Sequence, residues 1–427
     1  MGSSSGSGNE YKWPDAPTSF TRDFEQLEKD WNAVLAQFSN QSESENSETQ
    51  DAQINAHEWL QQNPETSEFV KLLERTPVVK KGLQGDLPGC TVWAPTNEAL
   101  KDLQSDDDSE LEKLLQHHVA PHDMPLMRLL ETADIPTLIR PRTLNGPLPQ
   151  RRRIEDGYIA IHGRSKMVRM ISYGVKVSNG TVYLVDGILP LPPPISQLSS
   201  MLPEAQFGHL RRFLAQTGFA EELSSAFHLG GTFFSPIDKA FEDLGTDVLT
   251  FLQSSEGHVY LRELLRYHAS PGETLFSSMF YHGENKDGVT SPPIKREPPV
   301  AVSAEKVKPP PAAHQSSEKP SSTAAPTSQP SKAATGAKPR VIKGRREFPL
   351  PTLLDQQWCQ AEIVRVGGVI SMSIQGGTGE VVMQDVMTLN GVVHAVNRVM
   401  LPHLKDAEAA AGLGDVERFK MALDQRK

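Results

Sequence analysis

A ten-residue plan occurs twice in this sequence, and this duplication limits the folds that the chain can adopt. TVWAPTNEAL (residues 91–100) and TFFSPIDKAF (residues 232–241) both pass from β-branched and aromatic residues through a proline into polar and acidic residues. Proline at a first helical position, followed by short polar side chains, is typical of a helix start. The pattern therefore predicts a strand that turns directly into a helix, with Pro95 and Pro236 at the helix start.

The helix start in the second copy has its own capping signals. Ser235 is placed to act as a cap, and Asp238 is placed to complete an acidic capping box. In the first copy, Thr96 and Asn97 follow the proline. We expect the whole stretch to act first as a folding device that passes the chain from a sheet to a helix.

Two further motifs repeat in the same order. LLQHHVAP contains His118, and LLRYHASP contains Tyr267 and His268; both read as the end of an amphipathic helix before a proline. NGTVYLVDGILP and NGVVHAVNRVMLP follow, and Asn-Gly between apolar runs is the strongest short hairpin signal. The sequence therefore predicts two copies of one unit.

The three paired motifs resemble the fasciclin domain. The resemblance implies an α+β fold in which each copy is a β-sandwich wedge with helices along one side. Three departures are visible: His117 replaces a tyrosine, Asn397 replaces the closing aspartate, and Ser235 replaces the junction alanine. The motif residues carried over are Pro95, Thr96, Asn97, His118 and Asp186 in the first copy, and Pro236, Asp238, Tyr267, His268, Asn390 and Gly391 in the second.

Composition and motif order divide the chain into predicted regions. We expect a disordered acidic N-terminal region at 1–53, a first fasciclin domain at 54–192, a second at 195–403, and a C-terminal helical tail at 404–427. The second copy holds a Pro/Lys-rich insertion, residues 283–346, which we call the tract. It has few bulky residues to bury and is predicted to be disordered.

The charge of the tract is opposite to that of the rest of the chain. It carries 12 Lys/Arg and 5 Asp/Glu, whereas the whole chain has a formal net charge of −10. The overall charge argues against a general nucleic-acid binder, which requires a basic face. The tract itself is predicted to contact polyanions.

The histidines and cysteines are interpreted as structural residues. His117, His118 and His122 could suggest a metal, but adjacent helical positions face different directions and no Cys or Glu completes a ligand set. Cys90 and Cys359 are far apart and are predicted to be buried free thiols. No nucleophile or phosphate-binding motif occurs. The sequence therefore predicts no enzyme activity, no metal and no cofactor.

Modification signals depend on the compartment. Asn40 and Asn179 begin glycosylation sequons, which matter only if the chain is secreted. Lys295-Arg296 and Arg345-Arg346 are possible dibasic processing sites in a secretory lumen. In the cytosol or nucleus, Ile294-Lys295-Arg296-Glu297 instead resembles a lysine-modification consensus. A solvated basic linker is the plainer interpretation of the same residues.

The predicted function follows from the resemblance. We expect a non-catalytic adhesion or interaction protein, of fungal type, in the secretory system, vacuole or cell periphery. Its partner would be a protein or a polysaccharide surface. The alternative is a cytosolic scaffold whose basic tether recruits an acidic partner. No apolar run reaches the 18 residues that spanning a bilayer requires, so no transmembrane segment is predicted.

Overall fold

In each copy the central strand pair joins the first strand of the copy to its last. The computed structural model describes residues 53–131, 134–144, 147–155, 158–161, 168–172, 174–277, 343–355, 357–366, 369–404 and 412–424. In the first copy, β1 (Cys90–Pro95) pairs in parallel with β8 (Gly180–Val185). In the second, β9 (Gly231–Pro236) pairs in parallel with β15 (Gly391–Val396).

The first copy has two four-stranded sheets. One has the order β2-β1-β8-β7 and the other the order β3-β4-β5-β6, and a bridge between Met170 and Val185 joins them. The remaining strands are β2 Val119–Ala120, β3 Asp134–Pro136, β4 Pro149–Glu155, β5 Tyr158–Ile161, β6 Val168–Arg169 and β7 Val175–Val177. The helices are α1 Ala56–Gln62, α2 Ser67–Glu74, α3 Pro77–Lys81, α4 Asn97–Leu100, α5 Asp108–His117 and α6 Leu126–Glu131.

The second copy has one seven-stranded sheet instead, with the order β10-β9-β15-β14-β13-β12-β11. The sheet is continuous because the long β14 pairs with β13 at its start and with β15 along the rest. The strands are β10 Ala269–Pro271, β11 Lys343–Pro351, β12 Trp358–Val366, β13 Val369–Ile374 and β14 Gly379–Thr388. The helices are α7 Leu198–Met201, α8 Glu204–Thr217, α9 Phe219–Ala226, α10 Asp238–Glu242, α11 Thr246–Gln253 and α12 Gly257–Tyr267, followed by the C-terminal α13 Asp415–Leu423.

Both faces of the first copy's central sheet are buried. Val92 and Val182 belong to the cluster on the helix side, and Trp93 and Tyr183 belong to a second cluster that includes residues of the other sheet. Alternate residues of a strand point to opposite faces, so a strand buried on both faces reads as a continuous apolar run. The α+β architecture with helices along one side agrees with the prediction.

The two copies touch at a short proline-rich link. Leu389 N donates to Pro193 O at 3.0 Å, and Thr143 Oγ1 donates to Leu389 O at 3.2 Å. A small apolar cluster surrounds these bonds, made of Ile139, Leu144, Leu148, Leu191 and Leu389. The turn before β15 of the second copy is thus held by the first copy. The boundaries 54–192 and 195–403 stay predictions.

The end of the tract differs from the sequence prediction. Residues 343–346 are strand, because β11 begins at Lys343 and pairs along its full length with β12. The error has a simple cause: the basic residues of this strand resemble the linker before them in composition, and only the register with β12 identifies them. The rest of the tract lies outside the described residues, as do 1–52. Helix α13 lies inside the range predicted as a helical tail.

Candidate functional site

The two motif histidines hold the helix end of each copy to its closing segment. The His118 Nδ1 atom lies 2.9 Å from Leu114 O, and Leu189 N donates to His118 Nε2 at 3.0 Å. Because Nε2 accepts a hydrogen bond, the proton resides on Nδ1. The ring is fully buried, and burial lowers the pKa of His118 to about 4. The histidine is therefore neutral and structural at neutral pH.

His268 repeats this arrangement in the second copy. Its Nδ1 atom lies 2.8 Å from Leu264 O, and Met400 N donates to its Nε2 atom at 2.9 Å. Burial lowers the pKa of His268 to about 4 as well. Both nitrogens of each ring are thus occupied by the backbone.

The other two histidines of HHVAPHDM lie apart from these bonds. The His117 side chain is buried, which lowers its pKa to about 3, and Gln150 Nε2 donates to its backbone oxygen. The backbone oxygen of His122 accepts a hydrogen bond from Thr91 Oγ1 at 2.8 Å. Across the described residues, no three His, Cys, Asp or Glu side chains are arranged to hold a metal ion.

The asparagines before the closing strands fasten the start of each copy. Ala56 N, at the first residue of α1, donates to Asn179 Oδ1 at 2.8 Å, and Asn179 Nδ2 donates to Leu83 O at 2.9 Å. In the second copy, Ile195 N donates to Asn390 Oδ1 at 2.8 Å. Asn179 is only 8% exposed. The sequon asparagine is thus engaged inside the fold.

The predicted helix starts at the two prolines are wrong. Pro95 and Pro236 are the last residues of β1 and β9, and the next residue donates to the parallel partner: Thr96 N to Val185 O at 3.2 Å, and Ile237 N to Val396 O at 3.1 Å. Proline is tolerated because, in a parallel ladder, alternate residues donate to a given neighbour. The prolines occupy positions where that ladder requires no N–H group.

The capping roles differ between the copies. Thr96 caps α4 in the first copy, with Ala99 N donating to its Oγ1 at 3.3 Å. In the second copy, Ile237 is the cap residue and makes no side-chain bond, so the predicted cap at Ser235 is wrong. The Ser235 hydroxyl is buried without a partner in the structure.

The residue after each cap ties the junction to an earlier helix. Glu68 N, in α2, donates to Asn97 Oδ1 at 2.9 Å, and Asn97 Nδ2 donates to Pro64 O at 2.8 Å. Asp238 accepts from Gly208 N at 2.9 Å and from His209 N at 2.8 Å instead of closing a capping box. The predicted capping box is therefore wrong, and these residues serve tertiary contacts.

The closing aspartate and its replacement make the same contact. Arg169 N donates to Asp186 Oδ1, and Glu380 N donates to Asn397 Oδ1, both at 2.8 Å. An asparagine keeps the acceptor oxygen and loses only the charge, which Asp186 uses to pair with Arg169 Nε at 2.9 Å. The departure at Asn397 therefore leaves the backbone contact intact.

Tyr267 bridges a helix to two strand-side segments. Its hydroxyl donates to Trp358 O at 3.1 Å and accepts from Gln375 Nε2 at 3.1 Å, and burial raises its pKa to about 12. Gly391 packs its backbone on Gly231 O, which a Cβ at Gly391 would approach to 2.5 Å. The motif residues of both copies are thus engaged in structural contacts.

Two further pairs of side chains, which the motifs did not predict, make contacts at corresponding positions of the copies. Thr91 Oγ1 accepts from Met124 N at 2.8 Å, and Thr232 Oγ1 accepts from Leu275 N at 2.8 Å. Tyr183 OH donates to Met124 O at 2.7 Å, and in the second copy His394 Nε2 lies 2.8 Å from Leu275 O. The signal was present, because aligning the copies at their Asn-Gly pairs places Tyr183 opposite His394.

A buried polar cluster occurs in the second copy beside the start of the tract. Ser277 donates to the Asp385 carboxylate through its backbone nitrogen, at 2.8 Å, and through its hydroxyl. Asp385 N donates to His394 Nδ1 at 3.1 Å. Because His394 Nδ1 accepts, its Nε2 carries the proton and points to Leu275 O rather than to the serine. The Asp385 carboxylate thus binds Ser277, while the Asp385 backbone nitrogen binds His394.

The predicted processing site at Arg345-Arg346 lies in a strand, and the two cysteines are buried. Arg345 lies in β11 and pairs with Glu362 Oε1 at 2.7 Å, and Arg346 lies over the Phe348 ring at 5.1 Å. Both thiols are buried, and burial raises the pKa of Cys90 and of Cys359 to about 12. Asn40, Lys295 and Arg296 lie outside the described residues.

The surface carries isolated apolar side chains. Val78 and Val259 lie on helices α3 and α12, Ile171 and Leu229 lie in loops, and all four are more than half exposed. Within the described part of the chain, no helix combines the length and apolar character needed to cross a membrane.

Two regions of the chain match one protein family. The family profile described as the fasciclin domain matches residues 64–192 and 205–305, together more than half of the chain. Aurofusarin biosynthesis cluster protein S of Gibberella zeae is 28% identical over an alignment of 240 residues, which covers 54% of this chain and 57% of that protein. Stabilin-2 of Mus musculus is 30% identical over 114 residues, 24% of this chain and 4% of stabilin-2.

The chain thus matches little more than half the length of the first relative and a small part of the second. Among solved structures, the FAS1 domain pair of the insect cell adhesion molecule fasciclin I covers 80% of this chain and 98% of its own, at 15% identity and a TM-score of 0.34.

Proposed function

Because this chain belongs to the fasciclin-domain family, we propose that it is an adhesion or interaction protein without catalytic activity. Fasciclin domains are in general non-catalytic and act by contact with proteins or surfaces. One observation carries the proposal: the histidine, asparagine and junction residues of both copies bind backbone groups in matched pairs. These residues stabilise the fold, so we assign recognition of a partner to exposed groups.

The finer parts of the proposal concern place and partner. We place the protein in the secretory system, vacuole or cell periphery, with a protein or polysaccharide surface as its partner and Asn40 as a glycan acceptor. The Gibberella zeae relative supports a fungal protein. Fasciclin-domain proteins are often extracellular or at the cell surface, which supports the proposed compartment.

A second candidate is favoured by the charge of the tract. With 12 Lys/Arg, three of them in β11, against 5 Asp/Glu, it would attract a polyanion, whether a cell-wall polymer, an anionic membrane or an acidic partner in the cytosol. The attraction is screened by salt, with a Debye length of about 10 Å at 0.1 M. The tract would then act as a basic arm that the acidic remainder of the chain holds until a polyanion competes.

One experiment separates the two candidates. Beads coated with the full chain are mixed with cells or cell-wall polysaccharide over a salt series, beside beads coated with a variant in which every Lys and Arg between 286 and 340 is changed to Gln. The variant spares β11, which begins at Lys343. Equal, salt-insensitive binding by both would assign recognition to the domains. Loss of binding in the variant would assign it to the tract, and absence of binding by either would refute both candidates.

A further inference from the structure

The C-terminal helix α13 lies on helices α11 and α12 of the second copy. Its residues Phe419, Ala422 and Leu423 are each no more than 4% exposed, and Val416 packs partly against the same core. They lie at the spacing that makes one apolar face of a helix. We call the surface beneath them, marked by Phe251, Glu256 and Tyr260, the tail groove.

A polar clasp surrounds this apolar contact. Lys420 Nζ lies 2.6 Å from Glu256 Oε1, 4.5 Å from the centroid of the Phe251 ring and 5.9 Å from that of Tyr260. At the end of the helix, Tyr260 OH donates to Asp424 Oδ2 at 3.0 Å. The groove therefore combines an apolar floor with a place for one cation, formed by a carboxylate and two aromatic faces.

In the first copy, a charged residue stands at the position that matches Tyr260. Glu110 stands eight residues before His118, as Tyr260 stands eight before His268, and Glu110 is exposed and charged. The half-buried ring of Tyr260 in one copy and the exposed carboxylate of Glu110 in the other indicate that the tail groove belongs to the second copy.

Outside the contacts of its buried apolar side chains, the attachment of α13 is weak. The helix has nine residues, and helices shorter than about 12–15 residues are marginal on their own in water. Its ion pair involves Glu256 with a side chain 70% exposed, and exposed pairs contribute little and weaken with salt. A helix held in this way can be replaced by another helix of the same pattern.

We propose that the tail groove is a docking site for an amphipathic helix of a partner protein that carries a Lys or Arg in its apolar face, and that α13 occupies the site in the partner's absence. Binding of this kind lays apolar side chains at helical spacing into a groove. Glu256 and the rings of Phe251 and Tyr260 select the basic residue. The proposal deepens the interaction role proposed above, and it rests on that role only for the partner's biological setting.

The test uses a fluorescent peptide of residues 412–424 and the full chain. In the wild-type chain, α13 competes from within the same molecule, so the peptide must overcome a high effective concentration. The Phe419→Ala chain should bind the peptide at least tenfold more tightly than the wild type, because its own helix is loosened. Arg418→Ala is the matched control, since Arg418 is exposed and pairs within α13 with Asp415; it should bind like the wild type.

The charge preference is tested in the same background. Adding Glu256→Lys to the Phe419→Ala chain should weaken the native peptide at least threefold, and a peptide with Lys420→Glu should recover the loss. If Phe419→Ala compromises folding, Lys420→Glu in the chain loosens the clasp and leaves the apolar residues in place. A folded, loosened chain that binds no peptide overturns the proposal, as does salt-independent self-association through exchanged tails. Peptide binding reads the groove alone, so its failure leaves the adhesion proposal standing.

Discussion

The Nε2 atom of His268 accepts a hydrogen bond from the backbone nitrogen of Met400 at 2.9 Å, across 132 residues of sequence. The same contact joins His118 and Leu189 across 71 residues in the first copy. Each bond fixes the end of a helix to the segment that leaves the last strand, and each requires a neutral ring. Protonation would place a positive charge in a fully buried site and would remove the acceptor.

The stability of the protein should therefore fall as the pH drops from about 6.5 to about 4. The folded pKa of each motif histidine is about 4, below its ordinary value of 6.5, so the unfolded chain binds more protons in this interval. Each pH unit is worth about 1.4 kcal/mol per histidine, and the loss ends once both states are protonated. Denaturant unfolding at several pH values measures it. His268→Gln should flatten the profile, whereas the exposed control His228→Ala should not; identical profiles would contradict the assignment.

Asn179 and Asn390 should both contribute to stability. Asn179→Ala leaves Ala56 N–H and Leu83 C=O without their partner, and Asn390→Ala does the same to Ile195 N–H. A buried group left unsatisfied costs about 1–3 kcal/mol, so both variants should unfold at lower denaturant.

Expressed in a glycosylating host, the chain should carry no glycan at Asn179. Mass spectrometry of the tryptic peptide checks this, and a fully occupied, stable Asn179 would show that the bonds are dispensable.

Gly180 should tolerate no side chain. A Cβ there would lie 1.8 Å from Cys90 O, where the two central strands of the first copy meet, and its φ of 152° is a region that favours glycine. We expect Gly180→Ala to abolish the cooperative unfolding of the first copy or to lower its stability by about 3 kcal/mol or more. Gly412→Ala is the control, because no atom lies within 4 Å of its Cβ position. Circular dichroism melts compare the two, and equal melting temperatures would disprove the close approach.

Trypsin should cut the two dibasic pairs at different rates. Arg345 and Arg346 lie in β11, whose residues pair throughout with β12, and protease cleavage requires that strand to detach. Lys295-Arg296 lies in the part of the tract that composition predicts to be disordered. Limited proteolysis with N-terminal sequencing should find cleavage at Arg296 well before Arg346. Simultaneous cleavage would mean that β11 opens freely, in which case Arg345 does not hold Glu362.

The order of motifs, the helix ends at the two histidines and the closing hairpins could be predicted from the sequence, because each depends on nearby residues. The position of the prolines could not. Whether Pro95 ends a strand or starts a helix depends on the donor that β8 requires, and β8 lies far along the chain. A local helix-start pattern and a strand end with a missing N–H look alike until the partner strand is known.

The two asparagines also show that a local motif does not reveal the long-range contacts of its side chains. Asn-Gly predicts a tight turn with a left-handed asparagine, yet only Gln375 and Asp385 have positive φ among the described residues other than glycine. The turn of the first copy is formed by Ser178 and Asn179, and the asparagine amide reaches α1 instead. The hairpin was predictable from the motif, but the role of its key side chain depends on a helix 123 residues earlier.

The parallel pairing of β9 with β15 also determines how long β9 waits for its partner while the chain is being synthesised. The first strand of the second copy leaves the ribosome long before its partner, because the tract and five other strands come between them. At about 5–20 residues per second, β9 waits on the order of ten seconds with one edge of its backbone unpaired. Unpaired strand edges are where chains aggregate, so each residue added to the tract lengthens the interval in which a nascent chain needs a chaperone, even though it adds little to the loop-closure cost of the finished fold.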